Sequence, residues 1–354
     1  MKVYFYHTQD IAYIRKRMEK GEFPAHFLYG ATGLPANGIE VVWHRSRLGL
    51  PRWRMMLRNA WLILTSREHF DAVYATHYRG LELIVLLRAL RLFRRPVVIW
   101  HHQPVITSPS MWRERFGRLF YRGFDRMIFF SQKLIDDSLR SPKARPGRVV
   151  LGHWGADLRF YDRVMAAGTH ERTGFISTGK ELRDMPTLVK AFNRTGARLD
   201  IYTGRNTGGV NYEEVFAANP PAENITVHYV NGLCPYELSM KVDRAACVVI
   251  CCKETKYTVG LTTVVEALAL GLPVICSRNP QIPVDFDAEG CGITVPYYDV
   301  DGWDKAVRYI MDHPDEAREM GRRGRRLAER LFNDERCARE VAGVLREAVE
   351  ENRR

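Results

Sequence analysis

ICCKETKYTVGLTTVVEALALGLPVICS, residues 250–277, is the stretch that decides the fold. An apolar run ends at Cys252, a polar loop leads to Gly260, a helical pattern ends at Gly271, and a second apolar run, PVICS, follows. Near-continuous Val and Ile runs are typical of strands buried on both faces, and strand–helix alternation is typical of parallel sheets. The stretch therefore predicts a strand, a helix that begins close to Gly260, and a second parallel strand.

The same alternation extends along the whole chain. Strand candidates in the first half lie at residues 3–6, 39–43, 72–75, 96–100, 126–130 and 148–152. Those in the second half lie at residues 174–178, 198–204, 225–230, 246–252, 273–277 and 292–296. Six candidates in each half predict an α/β protein with two doubly wound sheets rather than one.

Composition limits the class of protein and of partner. The chain has 354 residues, which is enough for about two domains. Its formal net charge of +12 indicates an anionic partner: nucleic acid, an anionic bilayer surface or a phosphorylated ligand. The seven cysteines lack C-x-x-C spacing, no signal-peptide pattern opens the chain, and the longest apolar stretch, 81–93, is broken by two arginines. These features predict a cytoplasmic protein with free thiols.

Glu266 is a single carboxylate in an otherwise apolar helical segment. Residues 263–266, TVVE, fit a capping box, in which the glutamate bonds back to the first amide of the helix. Alternatively, Glu266 binds a ligand, because helix N-termini that follow strands of such sheets face the binding crevice. Spacing alone leaves both interpretations open.

A second candidate site follows the strand at 174–178. Gly179, Lys180 and Arg183 lie at the mouth of the next helix, where two cations would suit a diphosphate. A solvated, basic helix start explains the same residues, and Asp184 could pair with either cation.

The two segments, in this order, resemble the second half of the retaining GT-B glycosyltransferases of family 4, the glycosyl transferases of group 1. VGLTTVVEALALGLPVICS (259–277) is similar to the end of that family's Glu-x7-Glu motif. Further similar segments are VNGLCPYELSMKVDRAACVVICC (230–252), LGHWGADLRFY (151–161) and HPDEAREMGRRGRRLAERLFN (313–333). In the first half, HFLYGATGLPANGIEVV (26–42) takes the place of the family's glycine-bearing loop.

The resemblance implies a GT-B fold, with two Rossmann-like domains facing across a cleft. It places an acceptor-binding domain at 1–155, a linker at 156–173 and a domain that binds a nucleotide-sugar at 174–332. The final helix, 333–354, would return to the first domain. It also implies no cofactor.

The resemblance assigns roles to residues of the second domain. Glu266 would hold the ribose hydroxyls of the donor, and Lys180 and Arg183 would neutralise the leaving diphosphate. Thr258 stands where the family has its first glutamate, which leaves open how the transferred sugar is held and whether catalysis is weakened. The other residues expected to bind the donor are Gly179, Gly260, Leu261, Thr262 and Thr263.

Candidates in the first domain follow from the same comparison. His101 and His102 come just past a strand, where the family often has a histidine near the donor sugar; neighbouring residues point opposite ways, so at most one is expected to face the ligand. A histidine bonded to the loop backbone is the alternative. Gly30, Thr32 and Gly33 form a turn that could meet the acceptor or the donor phosphates.

Two Asp-x-Asp strings, 285–287 and 299–301, are typical of manganese sites in the other large glycosyltransferase fold. Both lie in polar, turn-like stretches, so solvent-facing turns are the expectation and no metal is predicted. The cations Lys180 and Arg183 would take over charge neutralisation.

The segment HRSRLGLPRWRMMLRNAWLIL, residues 44–64, combines five arginines with tryptophans and other large apolar residues. It fits a helix lying in an anionic membrane interface, or a core helix that packs its tryptophans inside and solvates its arginines. Nucleic acid is the least favoured partner, since no nucleic-acid motif is present.

Taken together, the sequence predicts a retaining, metal-independent hexosyltransferase of polysaccharide biosynthesis. The donor would be a UDP- or GDP-linked sugar, and the acceptor a glycan or a lipid-linked compound. The protein would be cytoplasmic or peripheral at the inner face of the plasma membrane. A sugar-nucleotide epimerase of the same fold and a non-catalytic subunit that binds a nucleotide-sugar remain as alternatives.

Overall fold

The structure, a computed structural model, describes residues 1–168, 171–230 and 232–354. The chain divides into two compact units. The first unit comprises Met1–Lys20, Ala25–Trp154 and Asp334–Arg354, and the second comprises Gly21–Pro24 and Gly155–Asn333.

Strands and helices alternate in the described chain. The strands are β1 Lys2–Tyr6, β2 Glu40–Trp43, β3 Ala72–Ala75, β4 Val97–His101, β5 Arg126–Phe129, β6 Val149–Leu151, β7 Phe175–Thr178, β8 Leu199–Thr203, β9 Asn206–Thr207, β10 Val210–Asn211, β11 Ile225–Tyr229, β12 Cys247–Ile250, β13 Val274–Ser277 and β14 Gly292–Val295. The α-helices are α1 Ile11–Glu19, α2 Arg52–Leu64, α3 Glu82–Ala89, α4 Met111–Tyr121, α5 Gln132–Leu139, α6 Leu158–Ala167, α7 Met185–Thr195, α8 Tyr212–Ala218, α9 Pro235–Val242, α10 Leu261–Ala269, α11 Val300–Asp312, α12 Pro314–Arg330 and α13 Asp334–Arg353. Single 3-10 turns occupy Ala25–Leu28, Ala31–Gly33, Pro35–Asn37 and Pro146–Arg148.

The first unit is built on a six-stranded parallel sheet in the order β2-β1-β3-β4-β5-β6. Every residue of β3, β4 and β5 is buried, as expected for strands covered by helices on both faces. The strand order reverses between β1 and β3. In open sheets of this kind, ligands bind beyond the carboxyl ends of the strands at such a switch point.

The second unit is built on another six-stranded parallel sheet, in the order β11-β8-β7-β12-β13-β14. Counted within this sheet, the order is 3-2-1-4-5-6, which is that of dinucleotide-binding domains. Its switch point lies between β7 and β12. The two six-stranded sheets confirm the prediction of an α/β protein with two doubly wound sheets.

The segment 156–173 was predicted as a linker, and its residues 169 and 170 lie outside the described residues. Its described residues belong to the second unit and contain the helix α6. The Asp157 side chain caps α6 by accepting from the Phe160 N–H at 3.1 Å. The apolar side of α6 is buried through Phe160, Tyr161 and Val164. A cap and a buried face give this segment a packed helical structure that its sequence pattern did not reveal.

Helix α2 exposes the side chains that a core helix would bury. Trp53, Leu57, Trp61 and Leu64 are each 49–67% exposed, and their spacing of four, four and three residues places them on one face. The interpretation of 44–64 as a helix with its tryptophans in the core is therefore wrong for Trp53 and Trp61. No helix in the described part of the chain is long and apolar enough to span a membrane.

Candidate functional site

The candidate donor site lies at the carboxyl ends of β7 and β12, the switch point of the second unit. Two backbone hydrogen bonds join the loops that leave these strands: Asp184 N–H to Cys251 O at 3.0 Å, and Lys253 N–H to Leu182 O at 2.9 Å. Tyr257 adds a side-chain link by donating to Glu181 Oε1 at 2.6 Å. Residues predicted from two distant stretches of sequence therefore share one edge of the sheet.

Arg183 is inside this edge and only 5% exposed. Its guanidinium donates to the carbonyl oxygens of Thr178 (3.0 and 3.2 Å) and Glu181 (3.2 Å). It also contacts Cys252 Sγ and Thr263 Oγ1, both at 3.3 Å. Five N–H groups thus meet four protein acceptors, since the Thr178 carbonyl accepts twice, and no acid in the described chain forms an ion pair with the cation. Arg183 holds β7, β12 and α10 together while keeping its positive charge uncompensated.

Gly179 makes room for this arginine. Its φ of +99° is in the region that favours glycine, and a Cβ at this position would overlap the Arg183 guanidinium. Gly179 is therefore required by packing as well as by backbone conformation.

Lys180 is the exposed cation of the pair. Its stem passes close to Gly204, since a Cβ built there would lie 3.6 Å from Lys180 Cδ. Its carbonyl oxygen accepts from Tyr212 Oη at 2.8 Å, which fixes the backbone. The ammonium makes no hydrogen bond or ion pair with a described residue, so it can meet a ligand without first breaking a contact.

Helix α10 begins at Leu261, and the residue that caps its N-terminus, Gly260, has a φ of +92°. The Leu261 N–H donates to the Thr258 carbonyl at 3.2 Å, whereas the amides of Thr262 and Thr263 have no partner among the described residues. Open amides at a helix N-terminus, together with the helix dipole, favour an anion. Thr258 contributes its carbonyl to this turn, and its side chain is half-buried.

The capping-box interpretation of residues 263–266 is wrong. Thr263 is the third residue of α10 rather than its cap, and its hydroxyl contacts Arg183 instead of a helix amide. Glu266 lies too far along the helix to reach the cap amide, and it accepts a hydrogen bond from Ser239 Oγ at 2.5 Å. The same four letters fit both arrangements, because a helix start displaced by three residues changes every capping role.

Glu266 is buried, with 8% of its surface exposed. Burial raises the pKa of this carboxyl from 4.5 to about 7, and the hydrogen bond from Ser239 acts in the opposite direction. The charge of Glu266 in turn adds to the burial that raises the pKa of Tyr161. Ser239 and Tyr161 complete a buried polar cluster that the sequence did not predict, because they lie on α9 and α6.

His101 and His102 have different surroundings in the first unit. His101 is buried, stacks on Phe129 with ring centroids 5.3 Å apart, and has a pKa lowered to about 4 by burial. Its Nδ1 lies 3.2 Å from the Gln103 carbonyl oxygen. His102 is half-buried, and its Nε2 lies 2.9 Å from the Thr76 carbonyl oxygen. Both rings therefore contact loop backbone, as the alternative interpretation expected, and His102 is the more accessible.

Two further histidines join His102 at this edge. His7 follows β1 and His77 follows β3, and burial lowers the pKa of each to about 4, with neighbouring histidines adding to the effect. The rings of His77 and His102 lie 5.9 Å apart. Sequence reasoning missed His7 and His77, although each comes one or two residues after a predicted strand, as His101 and His102 do.

The glycines of the 30–33 turn contact helix α13. A Cβ at Gly30 would lie 2.9 Å from Ala338 N, and one at Gly33 would lie 2.6 Å from Ala338 Cβ. Thr32 Oγ1 is buried and has no hydrogen-bond partner in the described chain. Helix packing accounts for both glycines, which the sequence had assigned to acceptor binding.

The carboxylates of the two Asp-x-Asp strings bond to their own surroundings. Asp287 accepts from the Thr294 N–H at 3.2 Å, and Asp285 accepts from the Ala288 N–H at 3.1 Å. Asp299 caps α11 through the Gly302 N–H at 2.9 Å, and Asp301 pairs with Arg194 at 2.6 Å. Both strings serve turns and helix starts.

Two six-stranded parallel sheets, one in each unit, are the architecture of the GT-B fold. Sucrose-phosphate synthase from Thermosynechococcus elongatus has a similar structure, with a TM-score of 0.71 and 15% identity over 99% of both chains. A trehalose-6-phosphate structure from E. coli with bound UDP-2-fluoro glucose gives a TM-score of 0.73 and 11% identity, over 98% of this chain and 99% of that one.

The sequence comparison concerns mainly the second unit. Residues 237–327 match the family model described as Glycosyl transferases group 1. Together with the GT-B fold, this match indicates a glycosyltransferase. The matched residues include α10 with Glu266. The MMP alpha-(1->4)-mannosyltransferase of Mycolicibacterium hassiacum is 22% identical over 319 residues, which cover 83% of this chain and 74% of that protein.

Proposed function

We propose that the protein transfers a hexose-type sugar from a nucleoside-diphosphate donor to a glycan or lipid-linked acceptor, with retained anomeric configuration and without a metal ion. One observation carries the donor assignment: an uncompensated buried arginine, an exposed lysine and open helix amides meet at the switch point of the second unit. Two relatives support a hexosyl donor, since one is a mannosyltransferase by name and the other binds UDP-2-fluoro glucose.

The site acts on the leaving group. When the bond between the sugar C1 and the phosphate oxygen breaks, negative charge builds on the diphosphate. The amides of Thr262 and Thr263 are proposed to bond its oxygens, Lys180 to supply a mobile cation, and Arg183 to add a fixed positive potential from within. Donors that are already in place lower the barrier by several kcal/mol, because nothing has to reorganise during the reaction.

Glu266 is proposed to anchor the ribose. Its Oε1 accepts from Ser239, while Oε2 has no partner among the described residues and can accept from the ribose hydroxyls. Thr258, in the place of the family's first glutamate, would offer a neutral hydroxyl to the sugar. Of the two adjacent histidines, we propose His102 for a catalytic role, because His101 is enclosed by aromatic rings.

The first unit is proposed to dock on an anionic membrane surface. Helices α2 and α4 both pack on α3, and α4 exposes Met111, Trp112 and Phe116 as α2 exposes its own apolar face. Arginines stand among these apolar groups: Arg54 lies over the Trp53 ring at 5.0 Å, and Arg115 lies over the Trp112 ring at 5.6 Å. A surface that alternates aromatic and cationic groups fits the lipid headgroup region.

A thermal-shift panel of UDP, GDP and their hexose conjugates tests the donor assignment. A ligand that binds only the folded protein raises the melting temperature, so the correct base should stand out. Lys180→Ala is expected to weaken that shift and to lower kcat/KM for transfer by roughly ten- to a hundredfold.

Lys190→Ala, which removes an exposed lysine from α7, is the matched control and should behave as wild type. Equal kcat/KM and equal thermal shifts for Lys180→Ala and wild type would place the diphosphate elsewhere. A panel in which no nucleotide raises the melting temperature would refute the donor assignment itself.

A further inference from the structure

The first unit contains a pocket of about 390 Å³ at its own switch point. Thr8 reaches the pocket from the end of β1, and His77 and Arg79 reach it from the end of β3, the two strands between which the sheet order reverses. The loop before α2, together with Met55 of α2, forms the rest of the lining. Position and volume are those of a small-molecule site in a doubly wound sheet.

The pocket is lined by hydrogen-bond donors and by no acid. Among its eight lining residues, Arg47 and Arg79 carry positive charge and none carries negative charge. Neither arginine forms an ion pair in the described part of the chain. Nearby Arg52 differs, because it donates to Glu82 Oε1 at 2.7 Å. The carboxylate of Glu82 thus pairs with Arg52, whereas the two pocket arginines have no acidic partner in the described chain and can bind a ligand.

The backbone of Arg79 is held at the end of β3 by two hydrogen bonds. Its N–H donates to His77 Nδ1 at 2.9 Å, and its carbonyl accepts from Tyr6 Oη at 2.6 Å. Because Nδ1 of His77 accepts, the proton of the neutral ring is on Nε2, which is then a donor. The pocket therefore offers two guanidinium groups, an imidazole N–H and the Thr8 hydroxyl.

Part of the lining is apolar. Leu48, Leu50 and Met55 contribute it, and Leu48 is largely exposed. The exposed apolar face of α2 begins close by in sequence, at Trp53. A ligand that suits the whole lining combines an anionic group with carbon surface.

We infer that this pocket binds a phosphate ester, and that the acceptor of the transferase carries its phosphate here. The inference rests on the proposed function. A planar guanidinium matches two phosphate oxygens at once, and two such groups favour a dianion over a neutral sugar. The phosphate positions the acceptor and does not itself react.

A hydroxyl oxygen of the acceptor forms the bond to C1 of the donor sugar as the bond from C1 to the diphosphate oxygen breaks. The hydroxyl proton passes to the departing diphosphate. The products are the glycosylated phosphate ester and the nucleoside diphosphate.

A soluble sugar phosphate and a lipid headgroup share this chemistry, so the experiment has two arms. Calorimetric titration with glucose 6-phosphate, against glucose, tests the soluble source. Vesicles of phosphatidylcholine with phosphatidylinositol 4-phosphate, against phosphatidylcholine alone, test the lipid source. Binding in either arm should depend on the phosphomonoester, which glucose and phosphatidylcholine both lack, and should weaken with added salt.

Arg47→Ala and Arg79→Ala are each expected to weaken that binding by roughly tenfold or more. Arg67→Ala, which removes an exposed arginine outside the pocket, should bind as wild type. The UDP and GDP thermal shifts report the donor site separately. Absence of phosphate-dependent binding in both arms, or wild-type binding by both pocket variants, overturns the inference even where a nucleotide still binds.

Discussion

The two units use arginine in opposite ways. Arg183 of the second unit is buried and gives all five of its N–H groups to protein acceptors. Arg47 and Arg79 of the first unit are exposed at a pocket and have no acidic partner among the described residues. A cation satisfied from within shapes a site and sets its potential, whereas an unpaired cation at a surface is free to bind.

The two units also differ in how many large apolar side chains they expose. Of the eighteen large hydrophobic residues that the described chain exposes, fourteen belong to the first unit and four to the second. The second unit thus exposes few large apolar groups, and the arginine of its candidate site is buried. The first unit presents charged and aromatic groups outward, which is typical of a surface that meets a partner.

The largest expected effect comes from removing the buried arginine. Arg183→Ala leaves the carbonyl oxygens of Thr178 and Glu181 without their donor and opens a cavity, so the free energy of unfolding should fall by roughly 3–5 kcal/mol. Arg183→Lys keeps the charge but lacks the planar set of donors, so its free energy of unfolding should lie between those of wild type and Arg183→Ala. Urea unfolding provides the measurement.

Arg47→Ala and Arg79→Ala are the matched comparison. Each should change the free energy of unfolding by no more than about 0.5 kcal/mol, because each removes an exposed group that bonds to nothing in the described chain. If Arg183→Ala were as stable as Arg79→Ala, the distinction between an internal and an available cation would be wrong.

The contrast between the arginines also shows how far sequence reasoning extends. Twelve apolar runs predicted both six-stranded sheets, because strands buried on both faces keep one pattern along their whole length. The two-residue strands β9 and β10 were missed, since two residues carry no period. The family motif placed Arg183 at the candidate site, but its burial depends on Cys252 and Thr263, which are 69 and 80 positions away in sequence.

The sequence predicted those parts of the candidate site that depend on local pattern, and missed those that depend on contacts between distant residues. Gly260 and the β12–α10 turn follow from local pattern, because a glycine between a strand and a helix has few other uses. Whether Thr263 caps the helix or contacts an arginine depends on which residue begins α10. Arg47 and Arg79 could not be recognised as a pair, because the sheet brings together residues that lie more than thirty positions apart.

The second effect concerns the buried carboxyl of Glu266. Its pKa is raised from 4.5 to about 7, so the folded protein holds a proton between these values that the unfolded chain releases. This contribution to stability is fully present below the unfolded-state pKa of 4.5 and is lost as pH rises through the folded-state pKa of about 7. The free energy of unfolding falls by on the order of 3 kcal/mol over this range. Glu266→Gln cannot titrate and should lack this loss.

Unfolding free energies at about pH 5 and about pH 8 measure the difference. Wild type should lose more stability between them than Glu266→Gln. The nucleotide affinity of wild type should instead rise with pH, because ribose hydroxyls donate to the ionised carboxylate. The affinity of Glu266→Gln should be weak and independent of this titration. The same pH dependence in both proteins would show that Glu266 is not the titrating group.

The smallest effect tests the outward-facing surface of the first unit. Trp53→Ala with Trp61→Ala should leave the fold intact, since both rings are mainly exposed, but should lower affinity for vesicles of phosphatidylcholine and phosphatidylserine by roughly tenfold, about 1–2 kcal/mol. Met311→Ala removes an exposed apolar group from the second unit and serves as the control. Flotation with neutral and anionic vesicles separates the apolar contribution from the contribution of the arginines, because only the latter weakens with salt. Unchanged flotation of the double variant would mean that the exposed face of α2 meets something other than a bilayer, and the difference between the two units would then concern soluble ligands alone.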